Sequence, residues 1–275
     1  MAIDPTTRPG RPVALFTIAF AVLGGVVDLF MGVFAKVSSI FWRPRLPGRA
    51  QSPRRRRRGL ALIVGGIEGP SFFNYSMAVG VLKSRYRGAV VRFDWNTGIP
   101  FVRSLINLIH NRHKERQADN LAAMILEHQR VYPGAPVSIL AQSGGSWVTL
   151  RALEKLPDEA KVHTAVLLAP SVSPGYDISR AASRCAGSLV SVGGPADYIF
   201  LGIGTLLFGT SDRVFSPSAG WIGWHYHPPR FVEMRWHAAW VRYGYLGNHT
   251  SSSSRAFISQ VIAPLFAVAD ARSNR

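Results

Sequence analysis

The chain has 275 residues, 47% of them hydrophobic, and a formal net charge of +17. This length suits one folded domain of ordinary size and an accessory segment. The sequence has no solenoid or propeller repeat, and its single cysteine, Cys185, excludes a disulfide within the chain. Repeat architectures and small folds held together by disulfides are therefore excluded. Cys185 is also a poor candidate for a catalytic nucleophile, because it does not lie at a turn between a strand and a helix.

The stretch from Val13 to Ala35 is almost entirely apolar. A helix of about 23 residues at ~1.5 Å per residue would span roughly 34 Å, enough to cross a bilayer core. Asp28 is the exception, since a carboxylate costs about 2.5 to 3.5 kcal/mol at the bilayer centre and less near an interface. A span over residues 12–30 would bring Asp28 close to the interface. We therefore predict a single-pass membrane anchor over residues 1–42, with a cleaved signal peptide or a buried soluble helix as alternatives.

A strongly basic segment follows the apolar stretch. Eight arginines lie between Arg43 and Arg58, so the rest of the chain carries +9 of the +17. The run Arg54 to Arg58 repels itself, which predicts a solvated linker over residues 43–59 that can lie on anionic lipid, and nucleic acid is the less favoured partner. By the positive-inside rule, these charges keep the following domain, residues 60–275, in the cytoplasm.

The rest of the chain alternates short apolar runs with longer helical stretches. This alternation predicts an α/β fold with a mostly parallel sheet, right-handed crossovers and helices on both faces. Functional groups of such folds collect at the carboxyl ends of the strands. In chain order, the predicted elements are strand 60–64, helix 72–86, strand 89–94, helices 101–113 and 116–132, strand 137–141, helix 146–156, strands 162–168, 188–192 and 231–236, and a closing helix 252–269.

A sequence of small residues, Leu140-Ala-Gln-Ser-Gly-Gly-Ser146, joins the third predicted strand to the next helix. A serine at so tight a turn has a strained backbone, and the residues two before and two after it must be small; Ala141 and Gly145 are. The residue after the serine opens the helix, so the N–H of Gly144 points toward the place where an oxyanion would form. An ordinary helix-capping serine in a small-residue turn is the alternative interpretation of Ser143.

The pattern Ala141-x-Ser143-x-Gly145 resembles the nucleophile elbow of α/β-hydrolases, in the variant of lipase-like members with alanine in place of the first glycine. The resemblance implies that Ser143 is the nucleophile. It also implies that the loop after the first strand supplies a second oxyanion donor. That donor is the N–H of Ile67, with Glu68 as the neighbouring alternative, although Gly65 stands where the family usually has histidine.

The resemblance also implies where the other catalytic residues lie. The base follows the last strand, which indicates His249 in Gly247-Asn-His-Thr250, with His237 as the competing histidine. The orienting acid follows the predicted strand 188–192, which indicates Asp197. The order of the three residues in the chain, serine then aspartate then histidine, agrees with the order in the family. Helix capping is the alternative role for Asp197, and Asp177 and Asp212 are the alternative acids.

An aromatic and apolar stretch separates Asp197 from the last strand, and it forms either a wall beside the active site or part of the core. Its members are Tyr198, Phe200, Leu206, Phe208, Phe215, Trp221, Trp224 and Tyr226.

No metal site or cofactor is expected, because the sequence has no zinc-binding helix motif, cysteine pair, phosphate-binding loop or dinucleotide-binding motif. The sequence predicts a serine hydrolase of small-molecule or lipid esters. The alternatives are a non-catalytic α/β-hydrolase-like binding protein at the membrane and a basic protein associated with nucleic acid.

Overall fold

A single parallel sheet forms the centre of the protein. The computed structural model describes residues 24–28, 30–34, 44–69, 71–96, 107 and 110–267. The sheet has six strands in the order β2-β1-β3-β4-β5-β6, and every neighbouring pair is parallel. The strands are β1 (Leu60–Val64), β2 (Ala89–Phe93), β3 (Val137–Gln142), β4 (Thr164–Leu168), β5 (Leu189–Gly193) and β6 (Phe231–Arg235).

The inner strands are buried on both faces. Every residue of β1, β3, β4 and β5 is buried, whereas the residues of the edge strand β6 are partly or fully exposed. Strands covered by helices on both sides have no face in water, so their sequences are continuous apolar runs rather than alternating ones. The predicted parallel α/β sheet is confirmed.

Helices cover the sheet on both faces. Alternate residues of β1 pack to opposite sides: Leu60 and Leu62 join one apolar cluster, and Ala61 and Ile63 join the other. The α-helices are α1 (Pro53–Arg56), α2 (Phe72–Lys83), α3 (Asn111–Val131), α4 (Gly144–Lys155), α5 (Ser179–Ser183), α6 (Thr205–Phe208), α7 (Ala219–Ile222) and α8 (Arg255–Phe257). Helices of 3-10 type are Gly48–Gln51, Ala238–Tyr243, Thr250–Ser253 and Ala263–Phe266, and those of π type are Ile199–Gly204 and Ile258–Ile262.

The closing helix is less regular than its sequence predicts. Residues 250–266 pass through 3-10, α, π and again 3-10 turns instead of forming one α-helix. The hydroxyls of Ser252 and Ser253 donate to the carbonyls of His249 and Thr250, which competes with regular helix bonding, and Pro264 lacks an N–H group. The predicted closing helix over residues 252–269 is therefore helical in most of its described part, but it is of mixed type rather than one continuous α-helix. The predicted helix 101–113 lies largely outside the described residues.

The basic segment is folded where the structure describes it. Ala50 is buried, Arg55 donates to the carbonyl of Gly88 at 2.9 Å, and Arg92 of β2 donates to the carbonyl of Pro44 at 2.6 Å. An arginine can pack its aliphatic stem while its charged head stays hydrated, so a basic run does not have to remain unpacked. The segment therefore packs against the domain at Ala50 and Arg55, while the side chains of Arg54, Arg57 and Arg58 are exposed.

Part of the predicted membrane anchor lies against the domain. Residues 24–28 and 30–34 are helical, and a Cβ atom added at Gly32 would lie 3.0 Å from the ring of Phe200. Asp28 is fully buried, and its carboxylate accepts hydrogen bonds from residues 248–250 of the domain. In the part of the chain that the structure describes, no helix has the length and apolar character needed to span a membrane. The remainder of the predicted anchor lies outside the described residues.

The central strands determine stability more than the periphery does. We expect Leu140→Ala in β3 to lower the free energy of unfolding by about 2 to 5 kcal/mol, because Leu140 has no exposed surface and its truncation leaves a cavity. The matched substitution Leu207→Ala, at a leucine that is 67% exposed, is expected to change the free energy of unfolding by about 0.5 kcal/mol or less. Urea unfolding of both variants measures the difference, and equal losses would contradict this account.

Candidate active site

Ser143 lies at a strained turn between β3 and α4. Its backbone has φ 53° and ψ −126°, and its amide donates to the carbonyl of Leu168 at the end of β4 at 2.9 Å. A residue with a Cβ atom rarely adopts a positive φ, and such strain persists only where the surroundings hold it. The strand ends at Gln142 and the helix begins at Gly144, so the serine occupies the corner itself.

Glycine at position 145 allows this corner to approach the neighbouring strand. A Cβ atom added at Gly145 would lie 2.8 Å from the carbonyl oxygen of Val64 and still closer to that of Gly65. A Cβ atom added at Gly66 would lie 3.2 Å from the Cβ of Ser143. The small residues of the two loops are therefore required because the turn after β3 packs directly against the backbone that leaves β1.

The two predicted oxyanion donors lie on adjacent loops. A Cβ atom added at Gly144 would lie 2.8 Å from Cγ2 of Ile67. The indole nitrogen of Trp95 donates to the carbonyl of Gly65 at 2.8 Å, which holds the loop after β1 in place. The side chain of Ile67, on the loop after β1, therefore lies beside Gly144, the residue that follows Ser143.

His249 and Asp197 form a hydrogen-bonded pair in which Asp197 is buried and His249 is partly buried. The imidazole Nδ1 lies 2.7 Å from the carboxylate Oδ2, with side-chain exposures of 14% and 2%. Their loops meet backbone to backbone: the amide of Ala196 donates to the carbonyl of Gly247 at 3.1 Å, and a Cβ atom at Gly194 would overlap the backbone of Gly247. A carboxylate at Nδ1 keeps the proton on that nitrogen and leaves Nε2 for another partner.

Three carboxylates act on the charge of His249. Burial lowers the pKa of His249, but the negative charges of Asp197, Asp28 and Glu68 oppose this effect, and the pKa rises to about 9. Burial raises the pKa of Asp197 to about 7, although His249 lowers it. Burial also raises the pKa of the carboxyls of Asp28 and Glu68. The surroundings therefore favour the protonated imidazole.

Ser143 and His249 are linked through the residue before the serine. The side-chain amide of Gln142 donates to the carbonyl of His249 at 3.2 Å and to the hydroxyl of Ser252 at 3.0 Å. Among the described residues, the hydroxyl of Ser143 makes no hydrogen bond, so the structure pairs His249 with Asp197 but does not bond the serine to either. Catalytic hydrogen bonds of this kind are often long without a ligand.

The competing residues of the sequence analysis have other roles. His237 is exposed and accepts the amide of Ala239 at the start of a 3-10 helix. Asp177 accepts the amide of Ser179 ahead of α5. The carboxylate of Asp212 bonds to the amide and the hydroxyl of Ser173. None of these three contacts involves Ser143 or His249.

Two carboxylates near His249 were missed in the sequence analysis. Glu68 was considered only for its backbone N–H, yet its carboxylate accepts the hydroxyl of Ser71 at 3.1 Å and lies beside Gly66. Asp28 was considered only as an obstacle to membrane insertion. The signal that could have found Asp28 is its isolation, because a single carboxylate in an apolar stretch needs polar partners wherever it is buried.

The aromatic stretch divides between the active site and the core. The ring of Phe200 lies against the imidazole of His249, with 5.1 Å between ring centroids. Trp224 is buried and donates to the hydroxyl of Ser191 at 2.8 Å, which makes it a core residue. Leu206, Phe208, Phe215 and Tyr226 are exposed. Phe200 therefore lies beside the candidate site, whereas Trp224 belongs to the core.

The turn of Ser143 lies at the carboxyl end of a central strand in an all-parallel sheet, and the hydrogen-bonded pair of Asp197 and His249 lies on the loops after β5 and β6. The fold is α/β-hydrolase-like. No protein-family model matches the sequence, and a search of curated proteins finds no significant match.

The solved structures that match the chain include two with low TM-scores. The naproxen esterase (carboxylesterase NP) of Bacillus subtilis is 12% identical, with a TM-score of 0.42, over 76% of this chain and 83% of that one. RedJ, solved with a PEG molecule bound in its active site, is 12% identical, with a TM-score of 0.33, over 70% of this chain and 87% of that one.

The turn after β3 should not tolerate a side chain at position 145. We expect Gly145→Ala to lower the free energy of unfolding by about 1 to 3 kcal/mol, because the new methyl group meets two backbone carbonyls that cannot move aside easily. The matched control is Gly48→Ala, where nothing lies within 4 Å of the added atom. Thermal and urea unfolding measure both variants, and a Gly145→Ala protein as stable as the control would contradict the close packing.

Proposed function

We propose that this protein is a serine hydrolase of carboxylic esters, in which Ser143 is the nucleophile, His249 the base and Asp197 the acid that orients it. The observation that carries the proposal is the partly buried contact of 2.7 Å between His249 Nδ1 and Asp197 Oδ2, on loops at the same sheet edge as the strained turn of Ser143. A capping serine has no need of such a partner pair nearby.

The acylation step uses groups that lie at this edge of the sheet. Nε2 of neutral His249 takes the proton of the Ser143 hydroxyl while the serine oxygen attacks the acyl carbon of the ester. The N–H groups of Gly144 and Ile67 donate to the oxyanion that forms. The intermediate collapses, the bond to the alcohol oxygen breaks, and the imidazolium returns the proton to the leaving alcohol.

The second step releases the acid. Water enters where the alcohol has left, and His249 takes one of its protons as the water oxygen attacks the acyl carbon of the ester to Ser143. The intermediate collapses to a carboxylic acid, and the proton on the imidazole goes to the serine oxygen. Asp197 remains ionised in both steps and stabilises the imidazolium that forms twice in each cycle.

Apolar side chains beside His249 indicate the substrate class. Phe200 packs on the imidazole, and Leu206 and Phe208 follow it with exposed side chains. A substrate held near the imidazole therefore meets hydrocarbon rather than charge on that side. A small-molecule or lipid ester with an apolar group next to the carbonyl fits this surface best.

One observation favours a second candidate, a non-catalytic α/β-hydrolase-like binding protein. The Glu68 carboxylate lies beside Gly66, and Gly66 itself packs against Ser143, so a negative charge is close to the region where an oxyanion would develop. An anionic neighbour opposes a second negative charge in a poorly solvated site. In this alternative, the pair of His249 and Asp197 serves only to hold two loops together.

Active-site labelling separates the two candidates. We expect a fluorophosphonate probe to label the wild-type protein and to leave Ser143→Ala unlabelled, because the probe reacts only with an activated serine. The matched control is Ser183→Ala, at an exposed serine of α5 that should not affect labelling. A folded wild-type protein that resists the probe would support the binding protein instead.

Hydrolysis of p-nitrophenyl esters of increasing chain length tests the reaction directly. We expect Ser143→Ala to lower kcat/KM by about 10⁴-fold or more, since removing one member of such a triad removes most of its effect. Asp197→Asn should lower kcat by about 10⁴-fold, because the amide favours the wrong imidazole tautomer. Hydrolysis that survives either change would remove these residues from the mechanism.

The pH dependence of the reaction should be unusual for a histidine base. The neutral imidazole of His249, which acts as the base, predominates only above the pKa of His249, and the three carboxylates raise this pKa to about 9. We therefore expect kcat/KM to rise with pH through about 9, whereas an unperturbed histidine near pH 6.5 would give a plateau by pH 8. Rates from pH 6 to 10 on a neutral ester measure this. A plateau reached at pH 7 would contradict the proposed electrostatics.

A further inference from the structure

Asp28 holds the backbone of the loop that carries His249. Its Oδ2 accepts the amide of His249 at 2.7 Å, and its Oδ1 accepts the amide of Thr250 at 2.8 Å and the hydroxyl of the same residue at 2.7 Å. The side-chain amide of Asn248 adds a bond of 2.8 Å to Oδ1. One carboxylate thus receives four hydrogen bonds from three consecutive residues that lie more than 200 positions later in the chain.

These bonds satisfy a helix end that has no local cap. Thr250–Ser253 form a 3-10 helix whose N-cap is His249, and the His249 side chain makes no capping bond. The first N–H groups of a helix lack partners within it, and negative charge is favourable there. Asp28 supplies both the acceptor and the charge, and the imidazole of His249 remains free to bond to Asp197.

The contact is part of a wider docking of the N-terminal helical residues. The carbonyl of Gly24 accepts a bond of 3.1 Å from Asn248, and a Cβ atom added at Gly24 would lie 3.0 Å from the Cβ of Ala196, next to Asp197. Gly25 faces the ring of Tyr198. The segment therefore contacts both loops that carry the proposed base and acid.

We propose that Asp28 is a positioning residue for the hydrolytic reaction, whose carboxylate fixes the backbone of residues 248–250 and thereby the orientation of the His249 imidazole. This inference rests on the proposed function. Asp28 does not touch the reacting atoms; it acts on the imidazole through the backbone to which the imidazole is attached and through its charge.

The charge of Asp28 supports the same role. The titratable groups that face His249 are Asp197 from the loop after β5, Glu68 from the loop after β1, and Asp28, while Tyr245 on the histidine's own loop faces the two aspartates. Each carboxylate raises the pKa of His249. Loss of the charge of Asp28 should therefore lower this pKa while the other two carboxylates remain.

The test is Asp28→Asn in the full-length protein, with Asp177→Asn as a matched control at an exposed aspartate. We expect Asp28→Asn to lower kcat by about 10- to 100-fold with little change in KM, because a misplaced imidazole affects the chemical step more than ester binding. The acidic limb of the pH profile should move down by about one pH unit. The control should match the wild type in both measurements.

Proton NMR gives a readout that needs no catalysis. The titration of the His249 ring is followed in the Ser143→Ala background, with and without Asp28→Asn, and the second change should lower the measured pKa of His249 by about one unit. If the wild type neither reacts with the probe nor hydrolyses esters, the proposed function fails, whereas the titration still shows whether Asp28 acts on His249. An unchanged titration and an unchanged kcat would overturn the role of Asp28.

A milder variant covers the case in which Asp28→Asn does not fold. Thr250→Val removes the hydroxyl bond to Asp28 and keeps the carboxylate charge. We expect a several-fold loss of kcat with no movement of the acidic limb, because only the positioning is weakened. A folded Thr250→Val protein with the kcat of the wild type would overturn the proposal.

Discussion

The close approach of two backbones at the end of β1 and β3 is the constraint on which the site depends. Gly145 lies so near the carbonyls of Val64 and Gly65 that no side chain fits between them. This contact brings the loop of Ile67 beside Gly144 and holds Ser143 at its positive φ. A side chain at position 145 would separate the strained serine from the loop that provides its proposed oxyanion donor.

The second constraint is electrostatic. Three carboxylates from distant parts of the chain surround one imidazole, and buried charges are tolerated only when opposite charges and hydrogen bonds compensate for the lost hydration. His249 bonds to Asp197 and its amide bonds to Asp28, so both aspartates are compensated by the same residue. His249 therefore connects the N-terminal helical residues to the proposed active site through its hydrogen bond to Asp28.

Local sequence patterns predicted most of the elements, and they were wrong where distant contacts compete with local preference. The strands were found because strands buried on both faces are continuously apolar, and the elbow because its small residues answer a local steric demand. The closing helix is predicted as one element, but serine hydroxyls and Pro264 interrupt its hydrogen bonding and divide it into turns of different type. The basic segment was expected to stay solvated, but Arg55 bonds to the backbone of Gly88.

The sequence by itself determined the parallel α/β sheet and the turn that carries Ser143, because these follow from burial patterns and short-range sterics. The candidates Asp197 and His249 came instead from the resemblance to α/β-hydrolases, through their order in the chain. Only the tertiary structure decided which carboxylates lie near His249. Asp28 and His249 are 221 positions apart and Glu68 lies on another loop, and no local pattern encodes contacts of that separation. An apolar stretch with one carboxylate is equally compatible with a lipid bilayer and with a protein surface that offers N–H donors. In the described residues, the carboxylate of Asp28 accepts hydrogen bonds from N–H groups of residues 248–250.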